Sequence, residues 1–202
     1  MEIIPAIMPT SKDDLNEKIS QVAGLVDTIQ LDLMDGIFVP DKTYIPTKFS
    51  ASGWELDLMV KNASEKMKEW LVLRPKRIIF HVEAEDNLII PNDIEVGLAI
   101  STITPIEKLF PFISQIDFVQ CMGIEKIGFQ GQSFDEKVFH QISRLRELYP
   151  KLIISVDGGV SLDTAPKLIK AGASRLVIGS AIFESQNIPE IIKKFKKLYA
   201  FR

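Results

Sequence analysis

Four apolar segments of this chain end in carboxylate, amide or imidazole side chains, which are groups that can transfer protons or bind cations. The segments are TIQLDLMD, WELDLMV, RIIFHVEA and KLIISVDGG, and their polar residues are Gln30, Asp32, Asp57, His81, Glu83 and Asp157. Gln30 and Asp32 are two positions apart, so both side chains point to the same face of an extended strand.

Each of these groups also has a purely structural explanation. A single carboxylate at a strand end is as often a helix cap or the start of a loop as a functional group. His81 is more often a satisfied core histidine, and we place it behind the functional groups. Asp32, Asp57 and Asp157 lie on three different segments. If they converge, they need a cation or several hydrogen-bond donors nearby.

Glycine-rich turns form a second set of candidate residues. Gly128-Phe129-Gln130-Gly131, Gly158-Gly159 and Gly179-Ser180 each follow an apolar segment, and the last precedes the short helical stretch AIFES. Glycines of this kind let backbone N–H groups approach an anion. The turns predict a phosphate site at Gly131, Gly158, Gly159, Gly179 and Ser180. Met34 and Met59 either form a wall against the ligand or fill the core.

The elements that position these residues alternate regularly. Eight apolar or β-branched runs, most of them followed by a segment with helical periodicity, predict repeated βα units around a parallel sheet. Eight such units favour a closed (β/α)8 TIM barrel over an open sheet, and polar residues at the strand ends would then meet at one mouth. The expected strands are EIIPAIMP, TIQLDLMD, WELDLMV, RIIFHVEA, EVGLAIS, FVQCMGI, LIISVDGG and RLVIGSAI.

Two connections depart from that pattern. Only EDNLIIPND joins the fourth and fifth strands, so we expect the fourth helix to be shortened or missing. The segment GIFVPDKTYIPTKFSASG after the second strand has little helical periodicity and predicts a long loop over the mouth. The remaining connections predict helices, including TPIEKLFPFISQI, with N-caps at Ser11, Ser64, Thr104 and Ser161.

Length and composition limit the classes of protein. A chain of 202 residues with 46% hydrophobic and 25% charged residues predicts one globular domain over residues 1–202. No apolar run is long enough for a membrane span, and MEIIPAIMP lacks signal-peptide features, so we expect a cytoplasmic protein. The net charge of −3 argues against nucleic-acid binding. Cys121 is expected to be a buried hydrophobe.

The motifs resemble those of the ribulose-phosphate 3-epimerase family. The resemblance is carried by LDLMDGIFVPDKT, followed in order by ELDLMV, FHVEA, GLAI with TP, GFQGQ, VDGGV and GASRLVIGSAIF. It implies interconversion of D-ribulose 5-phosphate and D-xylulose 5-phosphate with the help of a divalent metal. The two proton-transfer aspartates of the family fall on Asp32 and Asp157. Epimerisation at carbon 3 needs such a pair, because a proton leaves one face and another returns to the opposite face.

The chain departs from the family pattern at the metal ligands. The family uses two histidines beside the aspartates, and those positions are Gln30 and Asp57 here. The resemblance therefore implies an oxygen-only set of Gln30, Asp32, Asp57 and Asp157. Such a set favours Mg²⁺ or Mn²⁺ over Zn²⁺, and a site that uses no metal stays an alternative.

Three functions remain open at this point. The first is an epimerase-like isomerase acting on a pentulose phosphate. The second is a non-catalytic relative that binds a phosphorylated sugar, which the loss of both imidazoles favours and the retention of Asp32 and Asp157 opposes. The third is aldol cleavage or decarboxylation of another sugar phosphate, which is disfavoured because Leu33 and Met34 lie where such relatives carry a lysine. In each case the partner is a small phosphorylated sugar, and homo-oligomerisation is left open.

Overall fold

The computed structural model of the chain describes residues 1–48, 53–129 and 132–198. Eight parallel strands close into a barrel in chain order, with the first strand paired to both the second and the eighth. The predicted (β/α)8 barrel is therefore confirmed. The strands are β1 (Glu2–Ile7), β2 (Ile29–Met34), β3 (Trp54–Met59), β4 (Arg77–His81), β5 (Glu95–Ile100), β6 (Phe118–Met122), β7 (Ile153–Asp157) and β8 (Arg175–Ile178).

Helices cover the outside of this barrel unevenly. The α-helices are α1 (Lys12–Val22), α2 (Met67–Leu71), α3 (Lys137–Leu148), α4 (Ala165–Ala171), α5 (Ser180–Phe183) and α6 (Ile188–Lys197), and 3₁₀ helices span Ala63–Lys66 and Ile106–Leu109. Residues 82–94, between β4 and β5, contain no helix. The expectation of a shortened or missing fourth helix is confirmed, because this segment is too short for a full crossover.

One predicted helix is much shorter than expected. The segment TPIEKLFPFISQI forms only the 3₁₀ helix Ile106–Leu109, followed by turns. Pro111 explains the difference, since proline has no N–H to donate and its ring clashes with the preceding turn of a helix. The long loop after β2 is confirmed for residues 35–48, which contain one isolated bridge between Asp35 and Lys42, whereas residues 49–52 of the predicted loop lie outside the described residues.

The predicted N-caps divide into two groups. Ser11 caps α1 by accepting a hydrogen bond from the Asp14 N–H at 3.1 Å, and the Ser161 hydroxyl accepts from the Thr164 N–H at 3.2 Å before α4. The other two predicted caps are wrong. Ser64 lies within a 3₁₀ helix and donates a hydrogen bond to Glu85 at 2.6 Å. The N-cap residue of the 3₁₀ helix Ile106–Leu109 is Pro105, the residue after Thr104.

An ionic network closes the barrel at the N-terminal ends of the strands. Arg77 is 1% exposed and contacts Glu2 at 3.0 Å and Glu55 at 2.5 Å. Arg175 pairs with Glu95 at 2.8 Å, and its guanidinium lies 4.5 Å from the centre of the Phe118 ring. Buried charges at this end have to be paired, because an isolated charge in the interior is strongly unfavourable. The N-terminal end of the barrel therefore has a structural role, and the candidate catalytic residues lie toward the C-terminal ends of the strands.

Replacing Arg77 with Met should lower the free energy of unfolding by about 3–5 kcal/mol, because it leaves the buried Glu55 without its partner. The matched control is Arg144→Met, which removes an exposed ion pair with Glu147 and should cost no more than about 0.5 kcal/mol. Urea unfolding at pH 7 measures both changes. Equal losses in the two variants would contradict a structural role for the network.

Candidate active site

The three predicted carboxylates meet at the C-terminal mouth of the barrel. Asp32 and Asp57 are paired residues of the adjacent strands β2 and β3, and Asp157 is the last residue of β7. One oxygen from each carboxylate lies within 4.8 Å of one from each of the others, and all three side chains are buried. Alternation along each strand directs them inward, while the leucines on either side of Asp32 and Asp57 point to the outer core.

Gln30 joins two of these carboxylates across the barrel. Its amide Nε2 donates to Asp32 Oδ1 at 2.8 Å and to Asp157 Oδ2 at 3.0 Å. Only the N–H₂ end of the amide can bond to ionised carboxylates, since they are acceptors. Asp32 and Asp157 are therefore held on either side of one side chain, although β1 and β8 separate their strands.

Asp57 has a separate pair of partners behind it. His81 Nε2 lies 2.8 Å from Asp57 Oδ1, and Gln120 Nε2 donates to Asp57 Oδ2 at 3.2 Å. His81 thus lies behind the carboxylates, where the sequence placed it. Gln120 was missed, although a polar residue at an inward position of the apolar run FVQCM was a usable signal.

Burial and mutual repulsion change the ionisation of the carboxylates. Burial, followed by the charge of Asp57, raises the pKa of Asp157 to about 7. Burial and then the charges of Asp157 and Asp57 raise the pKa of Asp32 well above its ordinary value. Burial alone would lower the pKa of His81, but the Asp57 carboxylate outweighs it and raises that pKa. A carboxyl group that titrates near neutrality, as Asp157 does, can both accept and donate protons.

A cavity opens above the carboxylates. Asp32 and Asp157 border it, and the other lining residues are Ala6, Met8, Met59, Met122, Ile124, Gly128, Phe129, Gln132, Gly158, Gly159, Val160, Val177, Gly179 and Ser180. Apolar side chains and the glycine turns after β7 and β8 make up most of the rest of the lining. The cavity can therefore hold a ligand with an anionic end and a reactive carbon near the two acids.

Most predicted phosphate residues border this cavity. Gly158, Gly159, Gly179 and Ser180 line it together with Met59. Met34 is not among the described lining residues and packs instead with Val39 and Met59 in a small buried cluster. Gly131 and Gln130 lie outside the described residues.

Two of the glycines have conformations that suit a phosphate turn. Gly158 and Gly159 have φ of +94° and +64°, in the left-handed region that other residues rarely adopt. A Cβ at Gly158 would meet Ile124 at 2.8 Å. Gly179 borders α5, whose first N–H groups have no partner within the helix. Glycine turns after β7 and β8 that line the cavity allow an anion to approach the backbone closely.

The donor set fits a divalent cation of the Mg²⁺ or Mn²⁺ class. Three convergent carboxylates supply hard oxygen ligands, and the Gln30 Oε1 atom is buried without a hydrogen-bond partner among the described residues. Burial and mutual repulsion raise the pKa values of Asp32 and Asp157, and a positive charge would relieve the repulsion. The Asp triad could therefore hold one divalent ion.

The comparisons with known proteins were decisive for the family. The model of the ribulose-phosphate 3-epimerase family matches residues 2–183. The chain belongs to this family. Ribulose-phosphate 3-epimerase from Schizosaccharomyces pombe is 30% identical over 207 residues, covering 95% of this chain and 90% of its own. The enzyme from Bacillus subtilis is 28% identical, covering 97% and 98% respectively.

Solved structures agree on the fold of this epimerase-family protein. A 3-hexulose-6-phosphate synthase has a TM-score of 0.70 at 19% identity, covering 98% of this chain and 99% of its own. KGPDC from Streptococcus mutans, in complex with D-R5P, has a TM-score of 0.71 at 15% identity, covering 98% and 96%. At these identities the likeness shows the barrel alone.

No helix in the described ranges is long and apolar enough to cross a membrane.

The raised pKa of Asp157 predicts a stability that depends on pH. The pKa of the Asp157 carboxyl is ordinarily 3.8 and is about 7 in the folded protein. Below about pH 4 the group is protonated in both the folded and unfolded states and does not lower the stability. As the pH rises from 4 to 7, ionisation of the unfolded state lowers the free energy of unfolding, and the loss is complete above pH 7. Asp157→Asn should therefore gain stability relative to wild type between pH 4 and pH 8 without divalent cations. Each pKa unit is worth about 1.4 kcal/mol, so we expect a change on the order of 2–4 kcal/mol.

The measurement is urea unfolding at both pH values in the presence of a chelator. Asp163→Asn, at an exposed position in the turn after β7, is the matched control and should show no such change. A difference between Asp157→Asn and wild type that is the same at both pH values would contradict the electrostatic account.

Proposed function

We propose that the protein interconverts D-ribulose 5-phosphate and D-xylulose 5-phosphate by moving a proton at carbon 3. The observation that carries the proposal is the position of Asp32 and Asp157, which border one cavity from two non-adjacent strands and are joined through Gln30. Family membership supports the same reaction class. The proposal needs a phosphorylated ketose whose carbon 3 lies between the two carboxyl groups.

The proton transfer uses the two carboxyl groups in complementary states. One ionised carboxylate removes the proton from carbon 3, which lies beside the carbonyl at carbon 2, and leaves an enediolate. The other, protonated carboxyl then delivers a proton to the opposite face of carbon 3. Without a cation both pKa values are raised, and the pKa of Asp157 is about 7, so near neutral pH the metal-free pair holds a proton that it can deliver.

The enediolate requires stabilisation of its negative charge. A divalent cation held by Asp32, Asp57 and Asp157, with Gln30 beside them, would supply this stabilisation as a Lewis acid. We propose Mg²⁺ or Mn²⁺ over Zn²⁺, because every donor in the set is an oxygen. Met59, Met122 and Val177 line the same cavity and exclude water from the reacting carbon.

The phosphate end of the substrate is proposed to lie among the glycine turns. Gly158 and Gly159 follow β7, and Gly179 and Ser180 follow β8, where barrels of this kind commonly hold phosphate. D-R5P in the Streptococcus mutans KGPDC complex supports a phosphorylated sugar as the ligand class for this barrel. Bound in this way, the sugar chain extends from the turns toward the carboxylates.

A lysine-dependent reaction is less consistent with the cavity. The described lining residues include no lysine, and Leu33 is fully buried among the outer core residues. Aldol cleavage or decarboxylation by such a route is therefore disfavoured.

The cytoplasmic compartment stays a prediction, since the rice relative is named a cytoplasmic isoform and the Arabidopsis thaliana relative is named chloroplastic.

The proposal predicts that the purified protein converts D-ribulose 5-phosphate to D-xylulose 5-phosphate, as measured by NMR or a coupled assay. D-ribulose without the phosphate should be converted at least about 100-fold less efficiently, because the backbone donors of the glycine turns lose their anion. Chelation should abolish the reaction, and Mg²⁺ or Mn²⁺ should restore it better than Zn²⁺.

Two results would contradict this function. Equal conversion of the phosphorylated and unphosphorylated sugars would reject the phosphate site. Binding of the sugar phosphate without conversion under any divalent cation would reject the epimerase and favour the non-catalytic relative or an enzyme for another ketose phosphate. Screening other ketose phosphates for exchange at the carbon beside the carbonyl would separate these two.

A further inference from the structure

Asp57 is the deepest of the three carboxylates and the one without direct access to the cavity. It is fully buried and is absent from the described lining residues, whereas Asp32 and Asp157 border the cavity. Gln30 orients Asp32 and Asp157 but makes no hydrogen bond to Asp57 in the described structure. The position of Asp57 therefore depends on other residues.

Those residues bond to both oxygens of the carboxylate. His81 contacts Oδ1 at 2.8 Å and Gln120 donates to Oδ2 at 3.2 Å. A carboxylate offers about four lone-pair sites, so two such bonds leave an acceptor site on each oxygen for a cation. Because a carboxylate only accepts, the bonded nitrogen of His81 has to carry the proton.

The His81 ring is itself fixed in place. It is fully buried at the end of β4, and Phe38 packs against it with 5.4 Å between ring centres. Its Nδ1 atom has no partner among the described residues, so the only described hydrogen bond of the ring is the one to Asp57. A buried imidazole with this single polar contact is placed to orient the carboxylate.

We infer that His81, assisted by Gln120, is a positioning residue that holds Asp57 in the orientation needed to bind a divalent cation. The inference rests on the cation-binding part of the proposed function. Hydrogen-bond partners behind metal ligands fix the ligand orientation, and their loss typically lowers metal affinity by about 10–100-fold. His81 acts through Asp57 and does not itself touch the cation or the substrate.

The test compares Mn²⁺ affinity, measured by electron paramagnetic resonance of the free ion, in His81→Leu and His81→Gln. Leucine removes the donor, so Mn²⁺ affinity should fall at least about 10-fold. Glutamine places an amide N–H near the position of imidazole Nε2, so it should retain affinity within about threefold of wild type. If His81 only filled space, the N–H of glutamine would not restore the Mn²⁺ affinity that leucine loses.

Two further variants complete the design. His140 is the other histidine of the chain and is exposed on α3, so His140→Leu is the matched control and should leave Mn²⁺ affinity unchanged. Gln120→Leu removes the second donor and should weaken binding measurably. If His81→Leu does not fold, as judged by circular dichroism, the Gln120 and His81→Gln variants decide the test.

The outcomes separate this inference from the proposed reaction. Unchanged Mn²⁺ affinity in folded His81→Leu, or equal losses in His81→Leu and His81→Gln, would overturn the positioning role. Should His81→Leu be unfolded, unchanged affinity in Gln120→Leu, or a tenfold loss in His81→Gln, would overturn it as well. Absence of Mn²⁺ binding by wild type would also overturn it. Loss of affinity in His81→Leu with rescue by His81→Gln would support it even in a protein that does not convert ribulose 5-phosphate.

Discussion

Three buried carboxylates within 4.8 Å of one another create a repulsion that the surrounding residues have to offset. The interior of the barrel is arranged around this requirement. Gln30 donates to two of the acids, while His81 and Gln120 donate to the third. Burial and the remaining repulsion raise the pKa values of Asp32 and Asp157, and the repulsion is the physical reason that a cation fits the site.

The barrel interior is more polar than is usual for this fold. Barrels of this type mostly fill their inner layers with branched apolar side chains. Here the N-terminal end contains the Arg77 and Arg175 ion pairs, the middle contains Gln30 and Gln120, and the C-terminal end contains the acids. The apolar core that stabilises the fold is therefore concentrated between the strands and the outer helices.

Sequence patterns were most informative where geometry is local. Alternation along the strands was sufficient to place Asp32, Asp57 and Asp157 at one mouth, because two-residue periodicity and parallel closure leave little freedom. The role of Pro111 in ending a helix was also visible in the sequence, although the apolar periodicity around it favoured a longer helix. The bonds from Gln120 and His81 to Asp57 could not be predicted, since they depend on the stagger between β3, β4 and β6.

The most direct test of the account follows solvent deuterium into carbon 3 for wild type, Asp32→Asn and Asp157→Asn. If the two acids serve opposite faces, wild type should exchange and interconvert both epimers, while each variant should lose interconversion. Any exchange that survives should affect only one epimer, and a different one in each variant. Interconversion at the wild-type rate in either variant would contradict the two-acid mechanism.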